Sequence, residues 1–222
     1  CARPYDEVAY AAAHNSMAAA DASGWFIPEQ PTGLVGQLQD GIRMLLIDTY
    51  YGQQTERSGL VSTAPQSYAA ALAETEASFG PDVVASALRL RDAIVSRPVG
   101  PVRPYLCHGL CEIGSTELAP EMRRVRAWLD AHPREVVSFF IEDSVSAADT
   151  AAVFRDAGLL PYVRTQQPGQ PWPTLGEMID SGRRVVVFMQ REAGGPEDPW
   201  MMQGFDWVQD TPYSNPTPES LS

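Results

Sequence analysis

Five short apolar segments, each closing on a polar or charged side chain, constrain this 222-residue chain more than any other feature of its sequence. Val8 to Ala13 runs into His14-Asn15-Ser16, Met44 to Ile47 into Asp48-Thr49-Tyr50, and Tyr105 to Cys107 into His108. Val136 to Ile141 runs into Glu142-Asp143, and Arg184 to Met189 stops just short of Arg191. Their length and apolar content are those of buried strands. Helical stretches lie between them: Pro31 to Asp40, Ala69 to Arg97, Leu118 to Ala131 with His132-Pro133 as its stop, Asp149 to Ala157 before Gly158, and Leu175 to Asp180 before Gly182. Strands that alternate with helices predict an α/β fold around a parallel sheet. A single domain, 1–222, is expected, with an Ala-rich helical insertion at about 66–97 that carries no evident chemistry.

In a parallel α/β barrel the chemistry sits where strands end and loops begin. The pattern above gathers His14, Asn15, Asp48, His108, Glu142 and Asp143 at such ends. His132, between a helix and a strand, falls on the opposite face and is given no role. Two facing imidazoles, with reference pKa near 6.5, can remove a proton from a nucleophile and return one to a leaving group. Phosphodiester cleavage by an internal hydroxyl requires that pairing, and the charge that builds on phosphoryl oxygens calls for arginine or a metal. Asn15, Asp48 and Glu142 are hard oxygen donors, which favours calcium or magnesium over zinc.

Other residues keep two readings. Arg43 either contacts the substrate phosphate from the barrel interior or is a buried arginine paired with a carboxylate. Arg191 either meets the phosphate or is a solvated loop residue. Asp143 either orients a histidine or lies on the surface. Trp200, Met201, Met202, Trp207 and Tyr213 are either core or a rim that meets lipid or an inositol ring.

Charge and composition remove whole classes of function. All 16 basic residues are arginine, so mechanisms that need lysine are excluded. A net charge of −12 argues against a nucleic-acid groove, and it limits anionic membranes to transient surface contact. A monomer is expected. No apolar run approaches the roughly 20 residues that span a bilayer. Of three cysteines, Cys107 and Cys111 either form a loop disulfide or remain buried thiols, while Cys1 is free or separated from its partner. A secreted or extracellular protein is expected, with its signal outside this chain.

Taken in order, His14-Asn15-Ser16, Gly41 to Tyr50, Tyr105-Leu106-Cys107-His108 and Val137 to Asp143 resemble the X domain of phosphatidylinositol-specific phospholipases C, and bacterial and plant members above all. Trp172-Pro173-Thr174-Leu175 and Val185 to Met189 extend the resemblance to nearly the whole chain. It implies a TIM-type (β/α)8 barrel and cleavage of an inositol phospholipid or a soluble inositol phosphodiester. It implies that His14 takes the proton of the inositol 2-hydroxyl, whose oxygen attacks phosphorus, and that His108 protonates the leaving lipid oxygen, giving a cyclic inositol phosphate. In calcium-dependent members the residues matching Asn15, Asp48 and Glu142 hold the metal.

The match has departures. Calcium-dependent eukaryotic members carry a glutamate where this chain has Leu46, which implies weaker calcium binding here. Metal-independent bacterial members carry an arginine where this chain has Asp48, so the pattern leans towards Ca2+. Two other activities stay open: a barrel phosphodiesterase acting on a glycerophosphodiester or sphingolipid, and a non-catalytic module that binds phosphate head groups. A (β/α)8 barrel takes about 250 residues. With five strands and a sixth expected around Phe205 to Val208, the barrel is expected to be incomplete at its C-terminal end, with the partner of Cys1 beyond Ser222.

Overall fold

The computed structural model describes residues 1–94, 97–209 and 217. Its organising element is one long strand, β2 (Met44–Gln54), which follows a two-residue strand β1 (Ala12–Ala13) and a short helix α1 (Leu34–Gln39). β3 (Val61–Thr63) returns along β2, and then α2 (Pro65–Phe79) and α3 (Pro81–Ile94) carry the chain away. β4 (Arg103–Leu106), β5 (Thr116–Glu117) and α4 (Leu118–Ala131) follow, then β6 (Val137–Asp143), α5 (Ala147–Asp156), α6 (Leu175–Ser181), β7 (Val185–Met189) and β8 (Met201–Gln203). All eight strands join one mixed sheet, so the expected α/β class holds.

The expected barrel is a different matter. The strand order β5-β4-β2-β6-β7-β8 leaves β5 and β8 as edges, and the sheet does not close among the described residues. Nor is it all parallel. β1, β2, β6, β7 and β8 run parallel, but β4 runs against β2, with Tyr105 opposite Tyr50. The reason lies in the insertion. Its two helices, of 15 and 14 residues, meet at Gly80, whose φ of +82° suits glycine, and Pro81 begins the second. The chain therefore re-enters beside the end of β2 that it left, where Thr55 bridges Pro98 and Val99 donates to Gln54. From there β4 can only descend. The sixth strand also lies earlier than expected, at Met201–Gln203. The chain turns at Gly204, where a Cβ would meet the Phe140 ring at 2.7 Å.

The two faces of the sheet are packed differently. Leu45, Ile47, Val137, Phe139, Ile141, Val185, Val187 and Met189 alternate onto one face and bury themselves against α1, α4 and α5. On the other face Phe140, Val186, Phe188 and Met202 pack with Tyr5, Trp172 and Met178. That second face is apolar at one end only. Asp48 and Glu142, the residues two steps beyond Leu46 and Phe140, turn it polar at the C-terminal ends of the parallel strands.

Trp200, Met201 and Met202 are core, Trp207 packs edge-on against Trp172 at 5.2 Å, and Tyr213 lies outside the described residues. Cys107 and Cys111 are joined in a disulfide, and Cys1 is exposed and unpaired. Among the described residues no helix is long and apolar enough to cross a membrane.

Candidate functional site

The ends of β1, β4 and β6, the middle of β2 and the helix α2 meet over the polar region of the sheet. Asp48 and Glu142 are register partners on adjacent parallel strands, so their side chains stand side by side on one face. β1 delivers His14 and Asn15 beside them, because Ala13 pairs with Leu45 and the next turn is tied down by Ser16 N donating to the Leu46 carbonyl. Asn15 takes a left-handed φ of +47°, a conformation that asparagine tolerates better than most residues. Its amide donates to both carboxylate oxygens of Glu29 at 2.9 Å.

His108 arrives from the antiparallel strand. Its Nδ1 lies 3.0 Å from Asp48 Oδ2, a contact that fixes the ring, and Nε2, on the cavity side, lies 3.7 Å from Glu29 Oε1. The turn after it requires Gly109, at φ +72°, since a Cβ there would strike Thr75 Oγ1 of α2 at 2.2 Å. The same threonine accepts from Leu110 N, so α2 buttresses the histidine loop. Ser78 Oγ lies 3.3 Å from His108 Nε2, and the Phe79 ring meets the imidazole edge-on at 6.0 Å.

The electrostatics are one-sided. Burial works against the charged form of His108, but the hydrogen bond and charge of Asp48, with Glu29 and Glu74 behind it, overcome that and raise its pKa. Glu142 is pushed up to about 7 by burial and by repulsion from Asp48 and Glu74, against which Arg191 and His108 act only in part. A site in which carboxylates repel each other this strongly suits a cation. Among the described residues no three His, Cys, Asp or Glu side chains come close enough to hold a metal by themselves. Asn15, Asp48 and Glu142 line the same cavity, and their oxygens are donors of the chemical kind that calcium takes.

These groups line a cavity of about 660 Å³, walled by His14, Asn15, Glu29, Asp48, Glu74, Ser78, Phe79, His108, Glu142 and Gln190. An adjoining cavity of about 530 Å³ shares His14, Asp48, Glu142 and Gln190 and is otherwise mostly apolar, with Met44, Leu46, Phe140 and Phe205. Leu46 thus stands beside the polar site, on the same face as Asp48.

The structure brings five of the seven expected residues, His14, Asn15, Asp48, His108 and Glu142, to one cavity. A sixth, Arg191, reaches it through Glu142, to which Nη2 donates at 2.7 Å, while Nη1 holds Ser144. Asp143 neither orients a histidine nor lies on the surface. It is buried, and it accepts from the backbone N–H groups of Arg191 and Glu192, setting that loop.

Arg43 does not belong to the site. It lies immediately before β2, five residues before Asp48 and about 16 Å away along extended chain. There it pairs with Glu135 at 2.7 Å, donates to the Leu38 and Ile42 carbonyls and lies over Trp128. The paired-arginine reading is the one realised. Arg43→Ala is expected to cost about 1 kcal/mol of stability in chemical denaturation, because the pair is partly exposed. Turnover should stay within about twofold of the parent, and a loss confined to kcat would overturn this placement. His132 likewise stays clear, its ring stacked on Trp128 at 4.2 Å.

Sequence reasoning missed Glu29, Glu74, Ser78, Phe79 and Gln190. Glu29 lies in an irregular loop with no periodic signal. Glu74 and Ser78 are four apart on a helix, which places them on one face, but nothing local says what that face meets.

A family model, the PI-PLC X domain, matches residues 101–221. That span holds His108 and Glu142, while His14, Asn15 and Asp48 precede it. An uncharacterized secreted protein of Arthroderma benhamiae is 28% identical over 221 residues, covering 96% of this chain and 39% of that protein. A PI-PLC X domain-containing protein 1 of the same fungus is 28% identical over 116 residues, or 49% of this chain and 38% of the relative. A PI-PLC X domain-containing protein of Arabidopsis thaliana is 31% identical over 105 residues, or 42% and 24%. The chain thus spans about two-fifths of the length of the first two relatives and a quarter of the third. No solved structure matches it.

Proposed function

Because this chain belongs to the PI-PLC X-domain family, we propose that it is a phospholipase C-type phosphodiesterase that cleaves phosphatidylinositol or a related inositol phosphodiester. The observation that carries this reading is the convergence of His14 and His108 on one cavity, with Asp48 on the far nitrogen of His108. His14, exposed and facing both cavities, removes the proton of the inositol 2-hydroxyl. The freed oxygen attacks phosphorus and the bond to the lipid oxygen breaks. His108 gives the proton on Nε2 to that leaving oxygen, and Asp48 supports its positive form meanwhile. The products are a cyclic inositol phosphate and diacylglycerol.

Asn15, Asp48 and Glu142 would hold calcium, which would neutralise charge on the phosphoryl oxygens. The donor chemistry and the repulsion between the carboxylates support this. A metal-free variant is favoured by one contact, that of Arg191 with Glu142, which already brings a guanidinium to the same place. The two separate cleanly. With calcium in the site, a chelator suppresses release of cyclic inositol phosphate and added calcium restores it, and calorimetry shows calcium binding that Asp48→Asn weakens. Full activity in chelator would remove the metal from the site. Product analysis tests the substrate class as well, because a glycerophosphodiester or sphingolipid cleaved by water gives no cyclic inositol phosphate.

The parallel run β1, β2, β6, β7, β8 with helices on one face supports a TIM-type barrel as the finer fold. A buried disulfide beside the site, and a relative named as a secreted protein, support an extracellular setting.

A further inference from the structure

The Cys107–Cys111 disulfide encloses a single functional side chain. His108, Gly109 and Leu110 are all that lies between the two cysteines. Closing so short a loop removes little freedom from the unfolded chain, because closure entropy grows with the length enclosed. The bond is therefore a weak device for global stability, and its effect falls on the peptide that it encloses.

That peptide has few other restraints. Among the described residues the backbone N–H groups of His108 and Gly109 make no hydrogen bond, and Cys107 N reaches the Asp48 carbonyl only at 3.4 Å. Gly109, at φ +72°, places the freedom of glycine next to the imidazole. The far side of the loop is anchored, since Leu110 N donates to Thr75 Oγ1 at 3.0 Å and Cys111 N to Thr63 Oγ1 at 2.9 Å. Thr63 in turn donates to Glu112 at 2.6 Å. The disulfide carries that anchorage across the loop to Cys107, the residue next to the imidazole. Both cysteines are buried in a small core with Tyr50, Val61, Ala71 and Tyr105, where two thiols would pack as small apolar groups. Loss of the bond thus frees the loop without emptying the core beneath it. A general acid must hold its proton within hydrogen-bond reach of the leaving oxygen, and a displacement of about 1 Å can cost about 100-fold in rate.

We propose that Cys107 and Cys111 are positioning residues whose disulfide holds His108 Nε2 in place for proton transfer, so that a dithiol reductant switches cleavage off without unfolding the protein. This rests on the phosphodiesterase reading and adds to it a dependence on redox state. In the switching step the S–S bond breaks, two electrons and two protons pass to the sulfurs from the dithiol, and the dithiol closes to its own disulfide.

The test compares the parent, oxidised and after dithiothreitol, with the double variant Cys107→Ala/Cys111→Ala. Two substrates are used: phosphatidylinositol, and a nitrophenyl ester of inositol phosphate, whose leaving group needs no general acid. On phosphatidylinositol, reduction and the double variant should each lower kcat by about 30–100-fold and leave KM within about threefold. On the nitrophenyl ester most of that loss should disappear. Reoxidation should restore the parent and not the variant. Thiol titration in denaturant fixes the state, with Cys1 alone free before reduction and Cys107 and Cys111 added after it. A second arm needs no turnover: hydrogen exchange at the Leu110 and Cys111 amides should quicken about tenfold or more on reduction, with α4 and β6 unchanged. If the parent cleaves neither substrate but loop exchange quickens, the phosphodiesterase reading fails and the clamp on the loop stands. If the parent cleaves and loop exchange stays the same on reduction, the clamp is refuted and catalysis stands. Equal losses on both substrates, full kcat in the double variant, or loss of the circular dichroism signal on reduction also overturns the proposal.

Discussion

His108→Gln should lower the rate of cyclic inositol phosphate formation by about 10²–10⁴-fold, the range that a positioned general acid supplies. Glutamine keeps much of the ring's bulk but cannot donate from a cationic nitrogen to a leaving oxygen. The loop should survive, since it is fixed by the Cys107–Cys111 disulfide, by Leu110 N on Thr75 and by Gly109, and not by the imidazole alone. His14→Ala should cost a similar factor, and the double variant little more than the worse single one, because the two histidines act on one proton path. The decisive comparison is a substrate with a good leaving group, such as a nitrophenyl ester of inositol phosphate. It needs no general acid, so it should recover most of the loss in His108→Gln and none of it in His14→Ala. Equal recovery in both would show that the roles are misassigned, and undiminished activity in either would end the two-histidine mechanism.

The second large effect lies far from the cavity. Arg184→Ala should destabilise the protein by about 3 kcal/mol, from the loss of charge-assisted hydrogen bonds at a buried site. Arg184 is 3% exposed, and its guanidinium donates to the carbonyls of Leu129, His132 and Glu135, which end α4 and lead into β6, and lies over Tyr162 at 5.0 Å. Helices leave their last carbonyls short of partners, and here the residue just before β7 adds charged donors to carbonyls at the end of α4. Urea unfolding would show the loss, and for a chain of this size the melting temperature should fall by about 10 °C. Arg184→Lys should not restore it, because one ammonium group cannot span three carbonyls set by a planar fork. A loss below about 1 kcal/mol in the alanine variant would mean that water replaces the guanidinium.

What could be read from the sequence follows the range of the interactions involved. The strand ends at His14, His108 and Glu142 were legible because an apolar run and the polar residue that stops it are neighbours in the chain, whereas Asp48, expected at a strand end, lies inside β2, which runs on to Gln54 because β3 and β4 pair with its second half. The direction of β4 was not legible. It depends on where the two helices of the insertion return the chain, and alternation of helix and strand says nothing about that. The resemblance implied a barrel, incomplete at its C-terminal end, and the described strands form one sheet with β5 and β8 as edges. Arg43 and Arg191 look alike in sequence, each close to a strand terminus, but they stand at opposite ends of the sheet. Glu135 and Glu142, which claim them, are separated by the length of β6. Glu74 and Ser78 were invisible because the helix that bears them has no motif. The Cys107–Cys111 pair left two readings open that only the geometry could separate.

β2 also sets the kinetics of assembly. Leu45 pairs with Ala13 and with Phe139, and Thr49 pairs with Leu106, so one strand waits for partners that come 32, 94 and 57 residues away along the chain. Contacts of such sequence separation incur loop-closure entropy before they return any stabilisation, which slows folding. Helices α4 and α5 can form early from local contacts, but the cavity comes into being only when the last of the distant strands has docked on β2. Assembly of the cavity after dilution from denaturant therefore marks the end of folding, later than the return of helical ellipticity.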